Sequence, residues 1–161
     1  MPKSFPTRND LPAKTRTQVT ALLNQQLQDL IDLYTQTKYA HWNVKGPNFI
    51  AIHELFDKFA ETLEDEIDDT AERATALGAV ALGTTRQVAE SSRVKEFPGD
   101  NFEGLAVVAA LADRYATVGK STRAAIETAD DLGDKDTADL FTGTSRELDK
   151  ALWFLEAHLA K

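Results

Sequence analysis

Three histidines and a dense run of carboxylates are the side chains of this chain best suited to chemistry. His53 and Asp57 stand four positions apart, so on a helix they share a face and can ligate one metal ion. Asp68 and Glu72 repeat the spacing further along. Either pair alone is the kind of spacing that chance produces. At ~1.5 Å of rise per residue, Asp57 and Asp68 are ~16 Å apart along a helix, so the two pairs cannot share an ion within one chain. Yet both pairs, 53 with 72 and 57 with 68, have the same midpoint, between Thr62 and Leu63. Two copies laid antiparallel about a two-fold axis at that point set His53 and Asp57 of one chain against Asp68 and Glu72 of the other. One isologous contact then builds two identical sites, each with one histidine and three carboxylates. Gathering so many acids beside a two-fold partner is costly unless cations neutralise them.

His41 precedes His53 by twelve residues, across a Gly46-Pro47 turn. It is placed either as a second nitrogen ligand or as a structural histidine. Two imidazoles and three carboxylates, with no thiolate, suit one or two Fe(II) ions, with zinc or manganese as substitutes. Trp42, beside His41, is positioned either to pass an electron to a trapped oxidant or to cover the end of the fold. His158, near the end of the sequence with Glu156 before it, reads as a surface residue.

The elements that must carry these residues are helices. Leu22, Leu23, Leu27, Leu30, Ile31 and Tyr34 recur at helical spacing within a first segment from about Leu11 to Val44, with Asp10 as its expected N-cap. Gly46-Pro47 stops it, and Asn48 is the expected cap of a second helix that runs to about Leu77. Residues 79–100 hold Gly83, Pro98 and Gly99 and read as a long connection with one short helix. Asp100 or Asn101 is the expected cap of a third long helix through about Ala129. A turn at residues 130–134 leads to a last helix from about Asp136 to Leu159. No strand, repeat or low-complexity tract is evident. The reading is all-α: a four-helix bundle with one long crossover running up, down, down, up, which is the ferritin-like topology. Residues 1–9 are expected to form a short flexible tail and residues 10–161 the bundle.

Composition narrows the function. The 161 residues are 42% hydrophobic and 27% charged, typical of a globular domain rather than a disordered chain. No stretch approaches the ~18 apolar residues of a membrane span, and Met1-Pro2-Lys3-Ser4-Phe5-Pro6 has no signal-peptide core, so a cytoplasmic location is expected. The absence of cysteine excludes disulfide scaffolds, thiolate metal sites and cysteine nucleophiles. The net charge of −8 runs against the usual sign of nucleic-acid binders.

The second helix concentrates that charge. Between Phe49 and Gly78 stand nine acids against Lys58 and Arg73. On a helical wheel His53, Asp57, Glu61, Glu64, Asp65, Asp68, Asp69 and Glu72 fall within ~160°, with Leu55, Phe56, Phe59, Leu63, Ile67 and Leu77 on the other side. Such an arc is either a solvated face or a cation-binding wall. A second cluster, Asp130, Asp131, Asp134, Asp136 and Asp139, suits a capped turn, where aspartate is favoured.

The stretch from His41 to Phe49 (His-Trp-Asn-Val-Lys-Gly-Pro-Asn-Phe), followed by His53-Glu54-Leu55-Phe56-Asp57 and Asp68-Asp69-Thr70-Ala71-Glu72-Arg73, resembles the Dps family of bacterial mini-ferritins. The resemblance extends from Thr7 through Ala81-Leu82-Gly83-Thr84-Thr85, Ala112-Asp113-Arg114-Tyr115 and Leu152-Trp153-Phe154. It implies a hollow homo-oligomeric shell of twelve subunits that oxidises Fe(II), preferentially with hydrogen peroxide, and stores ferric mineral. By resemblance, His41, His53 and Asp57 of one chain and Asp68 and Glu72 of its two-fold partner hold two irons per ferroxidase site, with Trp42 close by. None of these positions departs from the family pattern. Asp136 and Asp139 fall where family members line negative pores at the three-fold axes, through which field focusing draws cations inward. Glu61, Glu64 and Asp65 are candidates for mineral nucleation. The Glu-x-x-His motif of larger ferritins is absent, since Lys38, Ile50 and Leu155 stand three before the histidines.

The alternative function is a nucleoid-associated DNA-condensing protein with a silent metal site. Family members that bind DNA often use a lysine-rich tail. Here Lys3 and Arg8 are the only basic side chains before Asp10. A shell of twelve such chains would also multiply the −8 charge against phosphate, so only avid, salt-sensitive binding is conceivable.

Overall fold

The structure, a computed structural model, describes residues 4–160. Among them are five helices: α1 (Ala13–Asn43), α2 (Phe49–Ala76), α3 (Thr85–Ser91), α4 (Gly104–Asp131) and α5 (Lys135–Leu159). No strand forms among these residues; Lys45 and Glu103 make one isolated bridge. α1 and α2 form one antiparallel hairpin, α4 and α5 the other. The connection from residue 77 to 103 returns the chain to the end where α2 began. There Lys45 N–H donates to Phe102 O over 2.9 Å. The course is the expected up, down, down, up, with α3 as the short helix in the crossover.

The helix starts differ from expectation. Pro12 stands at the N-cap of α1 with no side-chain cap, so Asp10 does not serve there. Proline has no N–H and disfavours helical backbone in the residue before it, which moves the start past Asp10. Asn9 organises the approach instead, its Oδ1 accepting from Leu11 N–H over 3.0 Å. Asn48 makes no side-chain cap either. It takes a left-handed φ of 63°, which asparagine tolerates better than most residues. Glu103, not Asp100 or Asn101, caps α4 by accepting from Ala106 N–H, while Asn101 Oδ1 accepts from Glu103 N–H. Asp134 caps α5 through Thr137 N–H, so that helix begins one residue earlier than expected.

Two apolar clusters fill the bundle. The larger is built on Leu30, Leu33, Phe56, Leu111, Tyr115 and Leu155, the smaller on Val19, Leu23, Ala74, Ala125 and Phe141. α1 also buries a polar stripe against the crossover. Asn24 donates to Val80 O and accepts from Leu82 N–H, Gln28 donates to Leu82 O, and Gln36 donates to Lys95 O. Asp29, 1% exposed, takes the backbone N–H and the guanidinium of Arg93. These side chains satisfy the polar backbone of an irregular segment that has no ladder partner. Arg114, buried beneath it, donates to Glu96 O and lies over the ring of Phe97.

The first described residues are also tied down. Phe5 N–H donates to Gly78 O over 2.7 Å. Gly78 has φ +87°, and a Cβ there would lie 2.6 Å from Phe5 O, so glycine is required both for the helix exit and for this close approach. Met1, Pro2 and Lys3 of the expected tail lie outside the described residues.

Candidate functional site

The turn at residues 44–48 sets the last turn of α1 beside the second turn of α2, which brings His41 to His53. Each ring binds the other residue's backbone: His41 Nδ1 lies 2.8 Å from His53 O, and His53 Nδ1 lies 2.9 Å from His41 O. The imidazoles stack with centroids 3.7 Å apart and 22° between planes. A carbonyl oxygen only accepts, so each Nδ1 carries the hydrogen, and in the neutral rings each Nε2 keeps its lone pair for a metal. Phe49 leans on His53 with centroids 5.1 Å apart.

Asp57, one turn beyond His53, has its Oδ1 3.9 Å from His41 Nε2. The same oxygen accepts from Lys38 Nζ over 2.6 Å. That hydrogen bond holds the Asp57 carboxyl below the usual carboxylate range, against a smaller opposing effect of desolvation; the charges of Lys38, His41 and His53 also lower it. Lys38 was missed as a site residue in the sequence, where it counted only as the absence of a glutamate. Its place one turn before His41, on the same face of α1, is the signal that could have revealed it.

One chain therefore brings His41, His53 and Asp57 together. It does not bring Asp68 or Glu72 to them: both are exposed further down α2, and neither side chain has a hydrogen bond or ion pair among the described residues. No group of three histidine or acidic side chains able to hold a metal assembles among the described residues. Trp42, next to His41, is 66% exposed. Glu61, Glu64 and Asp65 are exposed on the same helix. At the opposite end, Asp136 and Asp139 are exposed in the first turns of α5. Arg73 of α2 fastens that turn, donating to the buried Asp134 over 2.7 Å and approaching Asp136 at 3.7 Å. His158 is exposed, its Nδ1 2.7 Å from Phe154 O.

A family model described as a ferritin-like domain matches residues 20–161. The DNA protection during starvation protein of Agrobacterium fabrum is 46% identical over 157 residues, which is 98% of this chain and 97% of that protein. Among solved structures, DpsC from Streptomyces coelicolor superposes with a TM-score of 0.93 at 29% identity, over 99% of this chain and 93% of that one. A Dps protein from Vibrio cholerae, described as a member of the ferritin-like diiron-carboxylate proteins, gives 0.89 at 26% identity, over 98% and 99% of the two chains. Kinship over nearly the whole chain agrees with the helix order and the single crossover, and the chain belongs to the Dps family of ferritin-like proteins.

Proposed function

We propose that this protein is a mini-ferritin that oxidises Fe(II), preferentially with hydrogen peroxide, and stores the ferric product inside a shell of twelve copies. The observation that carries this reading is the reciprocal bonding of His41 and His53, which leaves both imidazole Nε2 atoms free, that of His41 3.9 Å from Asp57 Oδ1. Asp68 and Glu72 of a two-fold partner complete each site. Two nitrogens and three carboxylates hold two Fe(II) ions as substrate and stabilise the harder Fe(III) product. One peroxide then takes one electron from each iron. Its O–O bond breaks to two waters with uptake of two protons, and no hydroxyl radical is released, which spares the cell oxidative damage. Zinc and manganese fit the same donors. Trp42 serves as an electron donor to oxidant that escapes this path.

Asp136 and Asp139 line the entry pores at three-fold axes, and Glu61, Glu64 and Asp65 nucleate mineral on the inner wall. Assembly is supported by the exposed apolar side chains Trp42, Phe49, Ile50, Leu105, Trp153 and Leu159, all at one end of the bundle. The protein works in the bacterial cytoplasm; among the described residues no helix is long and apolar enough to cross a membrane. The DNA-condensing alternative has less support. The described part of the N-terminal segment carries one basic side chain, Arg8, and is bonded to the end of α2 through Phe5 and Thr7.

The test is stopped-flow oxidation of Fe(II) by peroxide, with wild type beside the double variant His41→Ala/His53→Ala and assembly size checked in parallel. Rapid oxidation lost in an intact double-variant shell is the expected result. Equal rates in the two proteins would overturn the assignment.

A further inference from the structure

The stripe of α2 that faces the bundle holds one residue out of type. Ile52, Phe56, Phe59, Leu63, Glu66 and Thr70 follow one another at alternating steps of four and three, the spacing of a core-facing stripe. The other five are buried, and Glu66 is half-buried among them. Its Oε2 accepts from Thr144 Oγ1 of α5, while its Oε1 has no hydrogen bond among the described residues. Desolvation raises its pKa, the hydrogen bond from Thr144 opposes this, and the charges of Asp69, Glu147 and Asp65 raise it further. A carboxylate so placed gains from a cation that reaches it.

Glu66 also lines an open-sided cavity of about 160 Å³ between α2 and α5. The apolar walls are Leu55, Phe59 and Leu63 from α2, Leu148 and Phe154 from α5, and Tyr115 from α4. Phe59 lies 5.6 Å from Tyr115 and 6.4 Å from Phe154, so the three rings form one continuous aromatic wall. The seam stays open because α5 presents only the methyl group of Ala151 there. An apolar cavity of roughly 150 Å³ takes up a benzene ring, and aromatic walls favour such a guest.

Charge decides what the ring should carry. Two lysines border the cavity, and both are offset. Lys150 lies 3.5 Å from Glu147. Lys58 stands four residues after Glu54 and three before Glu61, one helical turn from each. Glu66 has no base within a turn of it on α2, and the charges that act on it are all negative. The acid at the cavity is therefore the group short of a counter-ion.

We propose that the α2–α5 seam binds a small primary ammonium ion that carries one aromatic ring, with the ring in the cavity and the ammonium group donating to Glu66 Oε1. An anion would meet Glu66 and Glu147. A neutral ring would fill the cavity and leave Glu66 without a cation. A quaternary ammonium has no N–H to donate. This assignment is independent of the iron chemistry, whose proposed ligands lie on a different face of α2.

The probes are benzylammonium, its neutral counterpart benzyl alcohol, and methylammonium, which has the charge without the ring. Each is titrated calorimetrically into the full chain as wild type, Glu66→Gln and Ala151→Phe. Wild type is expected to bind benzylammonium about tenfold more tightly than benzyl alcohol, and methylammonium not measurably. Glu66→Gln should weaken benzylammonium about tenfold, the loss of one charge-assisted hydrogen bond, and leave benzyl alcohol unchanged. Ala151→Phe keeps every charge and should bind neither aromatic probe while retaining its helical content. Should Ala151→Phe fail to fold, the ratio of benzylammonium to benzyl alcohol affinity in Glu66→Gln decides alone. Equal benzylammonium affinity in wild type and Glu66→Gln would overturn the proposal, as would binding that survives in a folded Ala151→Phe. Methylammonium binding as tight as benzylammonium would overturn it in favour of plain attraction to an acidic surface. No binding to wild type would also overturn it, and would mean that another copy of the chain covers the seam.

Discussion

His41 and His53 hold each other by the backbone: each ring's Nδ1 is bonded to the carbonyl of the other residue, and the rings stack 3.7 Å apart. The two side chains are therefore one unit. Each fixes the tautomer and orientation of the other, the role that partners behind metal ligands play elsewhere.

That unit supplies half of a site whose other half is proposed to lie on the partner, which makes complementation a decisive test. Chains carrying His41→Ala/His53→Ala and chains carrying Asp68→Ala/Glu72→Ala are each expected to lack peroxide-dependent oxidation. After joint unfolding and reassembly at equal amounts, half of the two-fold pairs are mixed, and each mixed pair regains one of its two sites. About a quarter of wild-type activity should return. Stopped-flow rates on the reassembled mixture check this; no recovery would mean that the site does not span two chains.

Lys38 sets the charge state of Asp57. The carboxyl is held low, so its contribution to stability is present above the ordinary carboxylate pKa and is lost as pH falls through the lowered value. Lys38→Met is expected to return the titration of Asp57 to the ordinary range. Carboxyl NMR shifts of the metal-free protein across an acid titration measure it directly. An unmoved midpoint would mean that Lys38 does not hold Asp57 in solution.

Glu66 behaves in the opposite sense. Half-burial raises its pKa, and the hydrogen bond from Thr144 only partly opposes this. A raised carboxyl stabilises the fold below its unfolded pKa, and that contribution is lost as pH rises through the folded value. Glu66→Gln keeps an acceptor for Thr144 and removes the charge. The variant should melt about 1 °C higher than wild type at neutral pH, with the difference vanishing in acid. Thermal unfolding at matched protein concentration across pH tests this.

Arg73 ties the last turn of α2 to the buried Asp134, which also accepts from Thr137 N–H and Thr137 Oγ1. Arg73→Met would leave a carboxylate, 2% exposed, without its cation. Removing one partner of a buried pair costs about 3 kcal/mol. Denaturant unfolding should show that loss. A loss under about 1 kcal/mol would mean that Thr137 and the helix N-terminus suffice for Asp134.

Much of this was legible before the structure. Glycine and proline at 46–47, 78, 98–99 and 133 mark the ends of long periodic segments, and each marks a real helix end or connection. The spacing of His41, His53 and Asp57 anticipates the cluster that one chain forms. What escaped notice depends on neighbours. Asn24, Gln28 and Gln36 look like the solvated side of an amphipathic helix, yet they are buried because the crossover lies on them. Lys38 has no meaning until α2 sets Asp57 beside it. The cap of α4 moved from Asp100 or Asn101 to Glu103 because pairing with Lys45 carries extended backbone further along the chain. Asp68 and Glu72 stay exposed and apart from the histidines within one chain, so their proposed part in the site needs a partner.

Trp42, Phe49, Ile50, Leu105, Trp153 and Leu159 crowd one end of the bundle, four of them at helix ends that the 44–48 turn and the crossover bring together. A chain that leaves so much apolar surface in water gains stability with every copy that covers it, and that gain follows the law of mass action. If the proposed assembly covers that surface, dilution acts on this protein as a denaturant does, and melting temperature should track concentration.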